Sequence, residues 1–240
     1  MCLVAIARTR IHGRRRLLLA ANRDEYHDRP AQPVHWWPDA PAVAAGRDDR
    51  GGGTWLAVRR DGHFAALLNA PGDAPAGAPS RGGLVLQYLC AEGFDVAAMA
   101  ARASGYAGFH CLAGSVDGVG YVGRDVLRHD PWEDNIIACG NAGLDAPGPR
   151  VERLRGAMRD LMAVADPVPG LLQALADETP YAPGAGDTRP VFIRDAGFGT
   201  RCSSVLCIDG HSGRFRERSF AARGTCIHDR TLHWRLDARP

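Results

Sequence analysis

The sequence predicts an α+β sandwich in which two antiparallel sheets pack face to face and helices lie outside. The dipeptide Asp-Gly occurs at residues 61–62, 117–118 and 209–210, each time between two short apolar runs. Asp-Gly in that setting is a strong signal for a two-residue hairpin turn, and repeated hairpins indicate an antiparallel sheet. Two stretches with helical apolar spacing interrupt the hairpins. Strands therefore open the chain, helices interrupt twice, and strands return.

Four hairpins are predicted along the chain. The first joins two apolar runs through a turn centred on His12-Gly13, and the other three turn at the Asp-Gly dipeptides. In chain order the predicted strand pairs are residues 2–7 with 17–21, 54–59 with 63–69, 108–116 with 119–123, and 203–208 with 214–220.

Apolar residues at three- and four-residue spacing predict the helices. Residues 83–103 are expected to form two helices broken at Gly93, and residues 150–165 and 169–177 are expected to form two more.

The predicted strands on either side of the loops 71–79 and 181–188 need each other to bury their apolar faces. We therefore expect residues 1–220 to form a single domain. Residues 221–240 show no clear pattern and are expected to be a C-terminal tail.

Composition narrows the function classes. The chain has 240 residues, 45% hydrophobic and 23% charged, with a net charge of +2, so nothing points to nucleic acid or a membrane surface. Every basic residue among the 29 is arginine, which excludes lysine Schiff bases and a phosphate-loop lysine. The longest apolar runs are too short to span a bilayer. We expect a small-molecule substrate, no cofactor and no membrane span; the oligomeric state is left open.

The seven cysteines form no Cys-x-x-Cys pair, which argues against a disulfide framework and a zinc finger. Their odd number and scattered spacing suggest a reducing compartment, so a cytoplasmic location is expected. A metal hydrolase is a weaker alternative, because it rests only on His228-Asp229 and His233 in the unpatterned tail.

Cys2 directly follows the initiator methionine. Removal of Met1 would leave an α-amine and a thiol on one residue, a nucleophile with its own base. The amine titrates near ~7.7–8.0 and the thiol near ~8.5, so both work close to neutral pH. The alternative is a small apolar residue packed at the start of a strand.

The first hairpin brings Asn22-Arg23-Asp24-Glu25, which follows the second predicted strand, close to Cys2. Arg23 would favour the thiolate, and Asp24 could hold an α-ammonium group. Three later residues add the donors that acyl transfer to a cysteine needs. They are Asn69 and Asn141, each at a strand end, and Arg201, which opens a strand.

These motifs, in this order, resemble the NRDE family, named for the tetrad at 22–25, which includes the transport and Golgi organisation protein 2 homologues. The resemblance runs from Cys2 to about Phe220. The matching segments are Cys2, Ala21–Glu25, Arg29-Pro30, Gly46–Asp48, Gly52–Leu56, Ala66–Asn69, Tyr106–Phe109, Asn141, Gly199–Arg201 and Glu217–Phe220.

The resemblance implies a four-layer αββα fold of the N-terminal nucleophile (Ntn) hydrolases. It also implies that Cys2 attacks an acyl carbon, that Arg23 and Asp24 position it, that Asn69 and Asn141 help to hold the oxyanion, and that Arg201 supports the site. The spacing of the tetrad is compressed relative to the acylases, so Asn22 or Glu25 could take one of these roles. His110 and Phe198 depart from the family pattern, which usually has asparagine and tyrosine there.

The leading hypothesis is therefore an Ntn-type cysteine amidohydrolase or acyltransferase acting on an amide or acyl thioester through a thioester intermediate. The alternative is a non-catalytic binding or trafficking protein with the same fold, for acyl-coenzyme A, lipid or haem. A processed and reactive Cys2 would separate the two.

Overall fold

The computed structural model describes residues 2–91, 95–123, 126–131, 136–181 and 189–237. It contains fourteen strands and four α-helices among these residues. In chain order they are β1 (Cys2–Ile11), β2 (Arg14–Tyr26), β3 (Ala31–Trp37), β4 (Ala40–Asp48), β5 (Leu56–Arg59), β6 (Phe64–Asn69), α1 (Gly82–Cys90), α2 (Val96–Arg102), β7 (Phe109–Ser115), β8 (Gly118–Gly123), β9 (Val126–Pro131), β10 (Ile136–Gly140), β11 (Gly143–Leu144), α3 (Pro149–Leu161), α4 (Val168–Leu175), β12 (Phe198–Asp209), β13 (Ser212–Phe220) and β14 (Cys226–Arg235).

The strands form two seven-stranded sheets, ordered β11-β10-β1-β2-β12-β13-β14 and β3-β4-β5-β6-β7-β8-β9. The described pairings are antiparallel. The predicted fold class, α+β with two antiparallel sheets and helices, is confirmed. The chain also divides into two compact units, Met1–Asp28 with Glu133–His233, and Arg29–Trp132 with Trp234–Pro240.

In the first unit, α3 and α4 cover one face of the first sheet. α3 begins with Pro149, whose fixed φ suits a first helical turn, and buries Val151, Leu154 and Met158 at helical spacing. These side chains form one apolar cluster with Leu3, Leu18 and other strand residues and with buried residues of α4. In the second unit α1 and α2 cover the sheet in the same way, around a cluster that includes Trp37, Leu84 and Phe109.

The four predicted hairpins and four predicted helices are present with shifted ends, although Gly93 lies outside the described residues. The turn at His12-Gly13 has φ values of 49° and 77°, the positive pair that a type I′ turn requires. The strands β3, β4, β9 and β11 were not predicted from the sequence. β3 pairs with β4 through two register shifts, so its apolar residues do not alternate regularly.

Two predicted strand ends were wrong. β2 continues to Tyr26, so the tetrad Asn22–Glu25 lies inside the strand instead of following it. β12 begins at Phe198, so Arg201 also lies inside a strand. β12 pairs with β2 as far as Tyr26, and β1 pairs with it as far as Arg23. This pairing keeps polar residues extended where sequence alone suggests a loop.

Within the predicted C-terminal tail, residues 226–235 form β14 at the edge of the first sheet. Nearly all its side chains are exposed, so the strand shows no alternation between buried and polar residues that a sequence could reveal. Asp229 on β14 binds Arg216 at 2.8 Å and Arg218 at 3.0 Å on β13. Trp234 is buried, and its indole N–H donates to the carbonyl of Arg60 at 3.0 Å.

We predict that Asp229→Asn lowers the free energy of unfolding by about 0.5–1 kcal/mol at pH 7, as expected for the loss of two partly exposed ion pairs. Hydrogen bonds from Arg216 and Arg218 lower the pKa of Asp229 to about 2. A lowered carboxyl pKa contributes stability above the ordinary value of ~3.9, and this is lost as pH falls toward ~2. Urea unfolding of both proteins between pH 3 and 7 should therefore show the difference shrinking with acid. Asp73→Asn, in the exposed loop after β6, is the matched control; a constant difference across the pH range would contradict the assignment.

Candidate active site around Cys2

The register of β1, β2 and β12 brings two of the predicted residues together. Cys2 pairs with Arg23 across β1 and β2, and Arg23 pairs with Cys202 on the other side. Directly paired residues of antiparallel strands point to the same face of the sheet. Cys2, Arg23 and Cys202 therefore line up across three strands on the face opposite α3 and α4.

Asn141 contacts Cys2 from the other neighbour of β1. It follows β10, whose residue Cys139 pairs with Val4, so the chain leaves the sheet close to Cys2. The main-chain nitrogen of Cys2 donates a hydrogen bond to Oδ1 of Asn141 at 3.2 Å. Removal of Met1 would turn this nitrogen into the α-amine, so Asn141 is placed to orient that amine.

Burial raises the pKa of the Cys2 thiol above its usual range. The charges of the amino terminus and of Arg23 act in the opposite direction, as does a hydrogen bond from the Asp24 main chain, while the charge of Asp24 adds to the rise. The thiol is therefore neutral at pH 7 and needs a base to become a nucleophile. The charge of Arg23 lowers the thiol pKa, in the predicted direction, but burial raises that pKa by more.

Asp24 lies on the helix-covered face and is fully buried. One carboxylate oxygen accepts from Nη2 of Arg150 at 2.7 Å and the other from the hydroxyl of Thr200 at 2.8 Å. Burial raises the pKa of Asp24, and the Arg150 guanidinium and the Thr200 hydroxyl oppose that rise. The carboxylate thus ties the end of β2 to the first turn of α3, while the main chain of Asp24 contacts the Cys2 sulfur.

Thr200 reaches Asp24 because β12 carries an irregularity between Thr200 and Cys202. This shift places Thr200 opposite Asp24 and Cys202 opposite Arg23. The Thr200 hydroxyl also accepts from the main-chain N–H of Ile193 at 2.9 Å. Thr200 therefore holds Asp24 and a neighbouring loop at the same time.

Arg201 binds main-chain carbonyls. Its guanidinium donates to Tyr26 at 3.0 Å, His27 at 2.9 Å and Phe220 at 3.3 Å, at the end of β2. Burial lowers its pKa, and the charge of Arg23 adds to this. These contacts show a structural function for Arg201, and its role in a reaction stays a prediction.

The alternatives within the tetrad have other partners. The amide nitrogen of Asn22 donates to the carbonyls of Leu175 at 2.8 Å and Val191 at 2.9 Å, and its oxygen accepts from Ser203 at 2.7 Å. Glu25 accepts from the main-chain N–H of Tyr26 at 2.9 Å. Asn22 therefore uses its amide within the core of the first unit, on the face opposite Cys2.

Asn69 is the last residue of β6, as predicted, and belongs to the second unit. Its role as an oxyanion donor stays a prediction.

A cavity of about 190 Å³ lies beside Cys2, between β1, the segment after β10 and the start of α3. The residues that line it are Cys2, Leu3, Gly140, Asn141, Ala142, Ala146, Pro147, Gly148, Pro149, Arg150 and Val151.

Comparison with known proteins identifies the family of the chain. The family model described as Transport and Golgi organisation 2 matches residues 1–222. The chain belongs to the Transport and Golgi organisation 2 family. It is 30% identical over 262 residues to the Transport and Golgi organization protein 2 homolog of Bos taurus, covering 91% of each chain. It is 28% identical to the Homo sapiens homolog, covering 85% of this chain and 86% of that protein.

Among solved structures, the chain is similar to the C2A mutant of the conjugated bile acid hydrolase from Clostridium perfringens. The TM-score is 0.51 at 11% sequence identity, and the match covers 97% of this chain and 92% of that one. At this identity the likeness shows the fold. The resemblance to the NRDE family, with its Transport and Golgi organisation 2 homologues and Ntn-hydrolase-like fold, is confirmed.

Arg150 and Thr200 were not predicted as site residues from the sequence of this family member. A proline before Arg150 correctly signals a helix start, but nothing local shows that the arginine reaches Asp24 across 126 positions. Thr200 stands beside the predicted Arg201, and only the irregularity in β12 decides which of the two faces Asp24.

The two departures from the family pattern have structural partners. His110 hydrogen-bonds the hydroxyl of Tyr121 at 2.8 Å, and Phe198 packs edge-on against Tyr26 with ring centroids 5.2 Å apart. Within the described residues, no three His, Cys, Asp or Glu side chains gather into a group that could hold a metal ion. No helix in that part of the chain is long and apolar enough to cross a membrane.

We predict that Arg150→Met lowers the free energy of unfolding by about 3–5 kcal/mol, because it leaves the Asp24 carboxylate buried without its cation. Arg153→Met, one turn further along α3, removes a half-exposed pair with Asp177 and should cost about 0–1 kcal/mol.

The pH dependence separates this charge effect from lost packing. Without Arg150 the folded-state pKa of Asp24 rises further above its unfolded value, so the folded state binds a proton more tightly than the unfolded state. The stability deficit of Arg150→Met should therefore shrink as pH falls from 8 toward 5. Chemical unfolding at several pH values measures this, and a deficit independent of pH would contradict an ionised Asp24–Arg150 pair.

Proposed function

We propose that the chain, once Met1 is removed, is an N-terminal-cysteine hydrolase or acyltransferase acting on an amide or acyl thioester. One observation carries the proposal: the main-chain nitrogen of Cys2 donates a hydrogen bond to Asn141, and Cys2 and Asn141 are both among the residues that line a cavity. An Ntn nucleophile needs its amine and thiol oriented together at a substrate site.

The raised thiol pKa decides how Cys2 would be activated. A neutral thiol must lose its proton to a base as it attacks, and the free α-amine of the same residue, Cys2, can act as that base. The amine offers two N–H groups and one lone pair. With one N–H donated to Asn141, the lone pair can accept the thiol proton.

The proposed reaction has two steps, acylation of Cys2 and resolution of the thioester. The sulfur forms a bond to the carbonyl carbon, the amine takes the thiol proton, and the C–N or C–S bond of the substrate breaks as that proton passes to the leaving group. Water, or an acceptor amine, then gives a proton to the α-amine and attacks the thioester, releasing an acid or amide and the free thiol.

The surrounding residues have supporting roles in this proposal. Arg23 favours developing negative charge on the sulfur, and the Asp24 main-chain N–H binds it. Arg150 and Thr200 hold Asp24 in place. Asn69 and Asn141 remain the predicted oxyanion donors, and Arg201 remains the predicted supporting arginine.

The relatives support the proposal in part. The conjugated bile acid hydrolase, which has the same fold, is by its name a hydrolase. The family's own name refers to transport and Golgi organisation, which favours the second candidate, a non-catalytic protein that binds acyl-coenzyme A, lipid or haem. None of the seven cysteines, all of which lie in the described residues, forms a disulfide, which supports the expected cytoplasmic location.

Intact mass and acylation of Cys2 test the proposal. Cys90 and Cys226 are the exposed thiols, so a C90S/C226S background leaves Cys2 as the accessible cysteine among otherwise buried ones. We expect Met1 to be absent and a panel of acyl thioesters and amides to leave an acyl group on Cys2. Cys2→Ala should remove the adduct, and an uncleaved N-terminal extension, which keeps the thiol but blocks the amine, should do the same.

Retention of Met1, or acylation that the N-terminal extension does not change, would sink the proposal. Binding of acyl-coenzyme A or haem to wild type and Cys2→Ala with equal affinity and no turnover would instead establish the second candidate.

We predict that Asn141→Ala slows acylation of Cys2 by about 10²-fold or more, the usual contribution of an oriented general base. Cys2 should still be present with Met1 removed, so the mass spectrum separates lost orientation from lost processing. Asn141→Asp, which keeps an oxygen acceptor, should retain more activity than Asn141→Ala; equal rates for the two variants would contradict the role of Oδ1.

The pH profile of kcat/KM is a further prediction. Because the base must be neutral, the rate should rise about tenfold per pH unit at low pH and level off above the amine pKa near ~7.7–8.0. A profile that is flat down to pH 5 would show that a preformed thiolate is the nucleophile, contrary to the buried environment of Cys2.

A further inference from the structure

We infer that the N-terminus of α3 and the side chain of Arg150 form a binding site for a small oxyanion, a carboxylate or a phosphate. The anion would lie in the cavity that adjoins the start of the helix. This inference goes beyond the proposed function and needs no reaction at Cys2. It rests on the uncapped first turn of α3, on the cavity beside it, on the hydrogen bonds of Arg150 and on the charges in the cavity wall.

The first turn of α3 has main-chain N–H groups without a capping side chain. The cap residue is Gly148, whose missing side chain can accept no hydrogen bond, and Pro149 has no N–H group. Hydrogen bonding along the helix begins with the N–H of Glu152, which donates to the carbonyl of Gly148 at 3.0 Å. The N–H groups of Arg150 and Val151 come before it. Donors in the first turn of a helix need an acceptor from outside the helix.

The cavity lies at these donors. Its lining includes Gly148, Pro149, Arg150 and Val151, which run from the cap to the third residue of the helix. An anion in the cavity would therefore meet the positive end of the helix dipole. The cavity volume is about 190 Å³, and one water-sized atom takes roughly 30 Å³, so the ligand has no more than about six non-hydrogen atoms.

Arg150 adds a cation with an unused donor. It is only 5% exposed, and its side-chain hydrogen bonds to the Asp24 carboxylate and the Val191 carbonyl both leave from Nη2. Its Nε is buried and has no hydrogen-bond partner among the described residues. Side chains of a helix tilt toward its N-terminus, so the Arg150 side chain extends toward the helix end that the cavity adjoins. A buried N–H group without an acceptor is costly, and this one indicates an acceptor that the described chain does not supply.

The charges favour an anion over a neutral acceptor. Among the described residues that line the cavity, Arg150 is charged and none is acidic. Glu152, the acidic residue in the first turn of α3, lies beside Arg155 at 3.5 Å. The Asp24 carboxylate balances the charge of Arg150 through Nη2, and the helix end adds a partial positive charge that no described residue of the wall balances. N–H groups at a helix start beside a guanidinium are suited to carboxylate and phosphate oxygens.

Gly148 offers a test that leaves Arg150 in place. Its φ of −179° is an extended conformation that any residue adopts, and a Cβ there would meet no atom within 4 Å. In Gly148→Asp, the added carboxylate would accept from the first-turn N–H groups and so replace the bound anion. Gly148→Asn adds a cap without a charge, and Gly148→Ala adds a Cβ without an acceptor.

Nuclear magnetic resonance of the nitrogen-15-labelled protein at pH 7 tests the inference. Sodium acetate or sodium phosphate replaces sodium chloride at constant ionic strength, and acetamide, the neutral analogue of acetate, is added at the same concentrations. We expect the amide signals of Arg150 and Val151 and the Nε–H signal of Arg150 to shift and saturate with an anion, and not with acetamide. Gly148→Asp should weaken anion binding by about tenfold or more, Gly148→Asn by less, and Gly148→Ala by no more than about threefold.

The two anions distinguish the sources of the oxyanion. Saturation with acetate alone would support a carboxylate site, and saturation with phosphate alone a phosphate site. Absence of saturation with both anions, equal shifts with acetamide, or binding that Gly148→Asp leaves unchanged would overturn the inference. Cys2→Ala should bind the anion within about threefold of wild type, so failure of the acylation experiments on Cys2 would leave this site standing.

Discussion

The buried ion pair between Asp24 and Arg150 is the constraint on which the candidate site depends. It joins the end of the central strand β2 to the first turn of α3, and those two elements flank Cys2. Two charges removed from water are stabilised by pairing and hydrogen bonding: Thr200 donates a further hydrogen bond to Asp24, and the Val191 carbonyl accepts one from Arg150. The positions of the thiol, of the cavity and of the helix start are therefore linked through one carboxylate.

The same burial that requires this pairing also shapes the chemistry of Cys2. Cys2 is partly exposed at the start of β1, but desolvation of its thiol raises the thiol pKa, and the nearby charge of Arg23 does not reverse that. Such a thiol is inert unless a base lies within reach. The main-chain nitrogen held by Asn141 is such a base once it is a free amine. In the proposed function, the reactivity of Cys2 therefore depends on the removal of Met1.

Much of the architecture could be predicted from local patterns. The three Asp-Gly dipeptides, each at or within one residue of a turn, and the His12-Gly13 turn locate four hairpins, and apolar spacing locates the four helices. Strand ends and edge strands could not be predicted in this way. The tetrad at 22–25 is polar yet extended because β12 pairs with all four residues and β1 pairs with Asn22 and Arg23. Asp229 and Trp234 hold the exposed strand β14, whose side chains carry no alternation.

The sequence by itself determined the candidate nucleophile, the family and the neighbours of Cys2 along the first hairpin, because turn chemistry and strand pairing are local. It also identified Arg23, Asp24 and Asn141, which lie near Cys2 in the first unit. Only the tertiary structure decided that Arg150 and Thr200 hold Asp24, that Arg201 binds carbonyls, and that Asn141 faces the Cys2 nitrogen. These contacts join residues more than a hundred positions apart, and the side chain that meets a buried carboxylate depends on strand register and helix placement, which no local pattern encodes.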